Sequence, residues 1–262
     1  MKALVLLAGL VAAALPCAAP SRVQAQDSVP DARGLVPDAN LPEEDDWLFS
    51  VTPYGWLNSV QGRVGSGGAE TSVDVSFGDV LDQVDLGLTG VFEARHRRWV
   101  GLLDFMYSSL TADEENATET IRAGLDQVTV QPELGYTLVE RPWGGIDGLI
   151  GARLWNFDLD ITVIEGGSEN DVASGDQHWL DGTVGARVRY SSRRHWHLFF
   201  KGDAGAGGSN FTWQVIGGAG YDLGSCCVAR AAYRHLDVDY ESDDILADVY
   251  LTGPALGLEI KF

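Results

Sequence analysis

The sequence predicts an all-β chain, folded as a closed antiparallel transmembrane β-barrel of about ten strands, with eight and twelve as alternatives. Three observations lead there: the composition, a period-two pattern that places charge on one face of each segment, and an alternation of short and long connections. Among 262 residues there are 32 Gly, 8 Trp, 8 Tyr and 9 Phe but only two Met. Many glycines with many aromatics favour sheets over helices. The formal net charge of −20 excludes a simple nucleic-acid binder, because no basic face exists to neutralise phosphate. An apolar share of 45% excludes wholesale disorder.

Residues 1–25 read as a secretory signal peptide. Lys2 supplies the positive start, Ala3 to Leu15 an uncharged apolar run, and Val23-Gln24-Ala25 a small-residue cleavage site. The run is too short for a membrane helix, which needs about 20 residues, and Pro16 is a poor neighbour for a lipoprotein cysteine at Cys17. Residues 26–46 are rich in Asp, Glu and Pro and read as a disordered acidic leader. The barrel is expected over 47–262. Cys226 and Cys227 are adjacent, which leaves no spaced disulfide framework or zinc spacing. They are expected to point to opposite faces of a strand start.

The C-terminal segment shows the alternation best. Tyr250, Thr252, Pro254, Leu256, Leu258, Ile260 and Phe262 form a greasy face, opposed by Leu251, Gly253, Ala255, Gly257, Glu259 and Lys261. The same split recurs over 86–95, 128–138, 180–190, 196–204 and 211–221. Soluble sandwiches alternate as well; the content of the polar face separates the two cases. It carries Arg153, Arg187, Arg189, Lys201, Arg230, Arg234 and Lys261 with Glu93, Asp104, Asp181, Asp203 and Glu259. In a membrane barrel the apolar faces meet lipid and these charges pair inside a narrow lumen. Trp99, Trp143, Trp179, Trp196, Tyr190 and Tyr221 near strand ends suit interfacial girdles.

Short turns are expected at 95–98, 139–145, 191–195 and 222–226, and long polar loops at 111–121, 162–177 and 239–248, with a shorter one at 205–209. This is the asymmetry of outer-membrane barrels, which have short periplasmic turns and longer extracellular loops. The turns are rich in Arg (Arg97, Arg98, Arg141, Arg193, Arg194), and the loops in Asp and Glu (Glu114, Glu115, Glu165, Asp171, Glu241). Counting back from the C-terminus gives nine strands from residue 85, and 47–59 makes ten. Residues 60–84 become a long excursion with a small hairpin and a helix-like stretch at 78–83. Within 153–161 and 234–240 the apolar face shifts by one residue after the arginine, which predicts a β-bulge in each. The bulges would turn Trp155, Phe157, Leu236 and Val238 outward. They would set the Asp-x-Asp pairs Asp158/Asp160 and Asp237/Asp239 on the lumen face.

The pieces WLFSVTPYGWL (47–57), VDVSFGDVLDQVD (73–85), GARLWNFDLD (151–160), YRHLDVDY (233–240) and GPALGLEIKF (253–262) make the chain resemble small outer-membrane β-barrel proteins of Gram-negative bacteria, with the layout of OmpA-like and OmpW-like barrels. The resemblance covers 47–262. It implies a place in the outer membrane of the cell envelope, with lipid and lipopolysaccharide as surroundings. It also implies that Leu258, Ile260 and Phe262 form the signal read by the barrel-assembly machinery. It carries no reaction, and no enzyme motif is matched.

No cofactor or metal is expected: no loop has EF-hand spacing, and no nucleophile elbow is present. His235 with Asp237 and Asp239 could imitate an acid–base or metal cluster but reads better as part of a lumen hydrogen-bond network. The expected function is a non-enzymatic outer-membrane barrel with a structural or surface role. Its charge-paired lumen would consist of Glu93, Asp104, Arg153, Asp181, Arg187, Arg189, Lys201, Asp203, Arg230, Arg234, Glu259 and Lys261. The main alternative is a narrow porin-like channel for small solutes. An outer-membrane hydrolase or lipid-modifying enzyme and a soluble periplasmic β-sandwich or lipocalin-like binder are further alternatives.

Overall fold

The computed structural model describes residues 47–66, 69–75, 78, 84–115, 119–165, 168–192, 195–241 and 245–262. The expected signal peptide and leader lie outside the described residues. Twelve strands are formed: β1 (Trp47–Trp56), β2 (Ser59–Ser66), β3 (Ala69–Val75), β4 (Val84–His96), β5 (Trp99–Glu115), β6 (Glu119–Arg141), β7 (Gly144–Glu165), β8 (Ser168–Ser191), β9 (Trp196–Gly207), β10 (Phe211–Asp222), β11 (Cys227–Glu241) and β12 (Ile245–Lys261). From β4 to β12 every strand pairs antiparallel with its chain neighbour.

Closure comes from β1, which pairs with β4 on one side and with β12 on the other. The result is a closed antiparallel barrel of ten wall strands. Phe262 N donates to Phe49 O (3.0 Å) and Phe49 N to Phe262 O (3.2 Å) at the seam. Closing the sheet removes the unpaired edges that an open sheet would leave in an apolar solvent. β2 and β3 add a hairpin beyond the seam. β2 pairs with the first half of β12 (Ser59↔Thr252 to Ser66↔Ile245), and β3 pairs with β2. The small hairpin expected within 60–84 is therefore an extension of the wall. Most of the helix-like stretch, 79–83, lies outside the described residues.

The turns at one end are short, at 97–98, 142–143, 192–195 and 223–226. The long loops expected at 111–121, 162–177 and 239–248 are replaced in large part by strand. β5 runs to Glu115, β6 begins at Glu119, β7 runs to Glu165 and β8 begins at Ser168; β11 and β12 likewise extend to Glu241 and from Ile245. Backbone pairing continues there through a polar sequence, so hydropathy alone resembles a loop.

The outer surface carries a greasy band of limited height. On β7 it runs from Ile146 through Ile150 to Leu154, and on β8 from Leu180 through Val184 and Val188 to Tyr190. Those nine and eleven positions match the roughly 9–11 residues of a tilted strand crossing a bilayer. Its lower rim is aromatic: Trp99 meets Tyr136 edge-on at 5.1 Å, Trp196 meets Tyr221 at 5.0 Å, and Trp143 lies 6.1 Å from Tyr190.

Both predicted bulges are absent. The β7–β8 register is unbroken from Gly144 to Ile161, and the β11–β12 register from Cys227 to Glu241. Alternation therefore continues through each arginine. Arg153 and Trp155 point inward with Leu154 outward between them; Arg234, Leu236 and Val238 point inward with Tyr233 outward. The consequence is an inversion of chemistry: beyond the greasy band the inner face becomes apolar and the outer face polar. Trp155, Leu236 and Val238 form a buried cluster with Trp56, Phe157, Trp179, Tyr240 and Val249 against it. Trp179, expected in a girdle, stacks inside instead, 4.2 Å from Tyr240 and 5.7 Å from Trp155. The sulfurs of Cys226 and Cys227 lie 3.4 Å apart, so the two side chains do not point away from each other as expected.

Candidate functional site: a charge-paired lumen

Inside the band, ten strands leave a bore narrow enough for side chains to fill. Glycines at inward positions make room for long ones. A Cβ on Gly151 would come within 2.8 Å of Glu133 Cγ, and one on Gly185 within 2.6 Å of Asp203 Cβ. Large and small residues thus alternate along the inward rows, and the charged heads lie across the bore.

The central layer is built on Arg153, which is fully buried. Its Nη2 donates to Asp203 Oδ1 (2.6 Å), its Nη1 to Thr212 Oγ1 (2.7 Å), and its Nε and Nη2 to Gln131 Oε1 (3.1 and 2.9 Å). Gln214 Nε2 links Gln131 Oε1 (2.7 Å) to Asp203 Oδ2 (2.8 Å). Arg234 continues the layer, donating to Gln214 Oε1 (3.0 Å) and to the Tyr54 hydroxyl (2.8 Å), which itself donates to Asp104 Oδ1 (2.8 Å). Arg234 also lies 3.1 Å from Asp104 Oδ2 and 4.7 Å above the Trp56 ring. Lys201 binds Glu133 and lies 3.6 Å from Asp203. Each buried charge of this layer has a partner of opposite sign, which burial in a low dielectric demands.

A second layer sits nearer the short turns. Asp147 accepts from Arg187 (Nη2, 3.0 Å), Arg189 (Nε, 3.0 Å), Arg95 (Nη2, 3.3 Å) and the Thr137 hydroxyl (2.7 Å). Glu93 takes Arg187 in a two-pronged contact at 2.8 and 3.1 Å. Across the bore, Arg230 donates twice to Glu259 Oε2 (2.9 and 2.6 Å) and lies 5.0 Å above the Phe199 ring.

Most of the expected lumen residues meet in these layers; two do not. Asp181 is buried but receives Trp179 Nε1 (3.1 Å) and Ser209 N (2.8 Å), so it anchors the 208–210 turn. Lys261 is half-exposed at the barrel end, 4.0 Å from Asp222. Sequence reasoning missed Asp147 and Tyr54. Counting back by twos from Arg153 reaches Asp147, whose place beside a turn hid it. Tyr54 looked like one more aromatic.

The Asp-x-Asp pair Asp237/Asp239 is not in the lumen. With Val238 buried and the alternation intact, it faces outward, as does exposed Asp158; the side chain of Asp160 lies outside the described residues. His235 likewise faces outward, between Trp213 (4.8 Å) and Tyr250 (5.4 Å). Among the described residues no cluster of three metal-ligating side chains occurs.

At the short-turn rim, Ser191 Oγ contacts His197 Nδ1 (3.0 Å), and His197 Nε2 contacts Asp222 Oδ1 (2.8 Å). A carboxylate, an imidazole and a hydroxyl are thus in series. The amides of Ser191 and Ser192 are engaged elsewhere, Ser191 N to Trp143 O and Ser192 N to Trp196 O. They form no oxyanion hole for acyl transfer.

Between the central layer and the rim, with Glu93, Arg187 and Arg189 of the second layer in its wall, lies a cavity of about 280 Å³. Tyr54, Asp104, Glu133, Lys201, Gln214 and Arg234 close its inner end, and Ser191, His197, Glu259 and Lys261 frame its mouth at the short-turn end.

No family model matches the chain, and no curated protein matches it in sequence. Solved structures do. The outer membrane protease OmpT from Escherichia coli superposes with a TM-score of 0.56 over 85% of this chain and 99% of that one, at 10% identity. The transport unit of the autotransporter AIDA-I from Escherichia coli covers 86% and 93% at 9% identity with a TM-score of 0.42. Neisserial surface protein A covers 82% and 97% at 12% identity with a TM-score of 0.34. The architecture is that of bacterial outer-membrane β-barrel proteins. At 10% identity the likeness to OmpT is one of fold, and the protease activity belongs to that protein.

Proposed function

We propose that this chain is a non-enzymatic integral outer-membrane barrel with a structural or surface role, and that its lumen is sealed. The short turns face the periplasm and the long strand extensions rise outside the cell. Residues 1–25 direct export and are removed. Lipids and lipopolysaccharide surround the band, and Leu258, Ile260 and Phe262 serve the barrel-assembly machinery as the terminal signal. The outward greasy band, bilayer-high and rimmed by aromatics, supports the location.

The observation that carries the sealed lumen is the succession of two unlike plugs. The Arg153 layer fills the bore within the band, and the Trp155–Phe157–Trp179–Tyr240 stack fills it above. A solute path would have to break paired buried charges and then part stacked rings. The test is single-channel current from the refolded chain in a planar bilayer, after heat-modifiable migration has shown a folded barrel. Silence is expected. Reproducible steps altered by Arg187→Ala or Lys201→Ala would establish the porin-like alternative.

A further inference from the structure

We propose that the cavity open at the short-turn end is a binding site for a small organic anion, a carboxylate head on an apolar body. Three independent observations point to this class. The first is size: about 280 Å³ corresponds to roughly nine water volumes, enough for a compact molecule just below the usual range of ligand pockets.

The second is the sidedness of the lining. Phe199, Ile216, Ala232 and Ala255 make one wall apolar. The charged heads that reach the cavity are mainly cationic: the side chains of Arg189 and Arg230 are each 27% exposed and that of Lys261 43%, whereas Asp147 and Asp203 are at 0% and Glu133 at 1%. Glu93, at 23%, is held in the two-pronged contact with Arg187, and Asp104, at 15%, by Tyr54 and Arg234. Glu259, at 8%, takes both of its bonds from Arg230 through Oε2. Arg230 gives Nε and Nη2 to Glu259, and Arg189 gives Nε and Nη2 to Asp147. The remaining Nη1 of each makes no hydrogen bond among the described residues. Two guanidinium donors therefore remain for a carboxylate while the buried carboxylates hold the arginines in place.

The third is the field of the whole molecule. A chain of net charge −20 should repel anions, but Arg97, Arg98 and Arg141 fall at the short-turn end, toward which the cavity opens. The acidic residues of the strand extensions lie at the other end. Such an axis of charge draws anions toward this mouth.

The test uses the full chain folded in detergent, with benzoate as the probe and benzyl alcohol as its neutral analogue, read by saturation-transfer NMR titration. Saturable benzoate binding is expected, with benzyl alcohol at least fivefold weaker. Arg230→Gln should weaken benzoate at least fivefold, and Ala232→Phe, which fills the cavity, should abolish binding. Arg63→Gln, at the far end of the barrel, should leave it unchanged. Heat-modifiable migration checks each variant, and if Arg230→Gln does not fold, Ala232→Phe carries the test. Absent saturation, equal affinity for the alcohol, or binding indifferent to Ala232→Phe would each overturn the proposal. The site needs the cavity and not the seal above it. A conducting barrel that still binds benzoate would sink the sealed-lumen reading alone.

Discussion

On β7, Ile150 faces outward in a greasy band while Arg153 is buried inward; a few residues further on, Asp158 is exposed and Trp155 is buried. One strand thus runs through two solvents with opposite rules. Within the band, apolar surface belongs outside and charge must be paired inside. Above it, water returns to the outside and the inner face can bury apolar surface as a soluble protein does. The upper barrel is in this sense a small soluble domain built on the same strands as the membrane barrel. The carboxylates show it: Asp126, Asp158 and Asp176 are cross-strand neighbours on the outer face, an arrangement that only exposure to water makes tolerable.

The sharpest way to break this comparison is in the inner faces. Arg153→Met should destabilise the barrel by about 3–5 kcal/mol, because Asp203 is left buried without its cation. Unfolding in urea from detergent measures it, and adding Asp203→Leu should restore most of the loss. Trp155→Ala should cost a similar amount, about 3–5 kcal/mol, through a cavity instead of a charge; no second charge deletion should rescue it. The outer faces separate the halves next. Ile150→Arg should cost about 2–4 kcal/mol near the middle of the band, whereas Asp158→Arg on the same strand should stay within about 0.5 kcal/mol of the parent. Equal penalties would place both residues in the same solvent. An effect smaller than that of Ile150→Arg lies at the boundary. A double-mutant cycle on Trp99 and Tyr136 should return about 0.5–1.5 kcal/mol for their edge-to-face contact.

The lower half was legible because its two faces differ in the way a simple alternation detects. Glu93, Arg187, Lys201 and Asp203 were separated from Phe92, Val188, Phe200 and Ala204 by parity alone. The upper half was misread because the same greasy-equals-outward rule was carried past the membrane boundary. Keeping Trp155, Phe157, Leu236 and Val238 outside required a bulge after each arginine. The intact registers remove both, and the side chains fall inward by parity. The long loops failed for a related reason: a strand whose outer face meets water has the composition of a loop, and its pairing shows only in three dimensions.

What the sequence determined by itself is what a single strand can encode: period two, the division of residues between faces within the greasy band, the positions of the short turns, and so a barrel of about ten strands, with eight and twelve left open until the pairings closed the wall at ten. The tertiary structure decided which residues meet across the bore, because Arg153 and Asp203 come from strands fifty residues apart. It also decided where the outer solvent changes. That height is a property of the closed wall as a whole, set by all ten strands together, and no single strand records it.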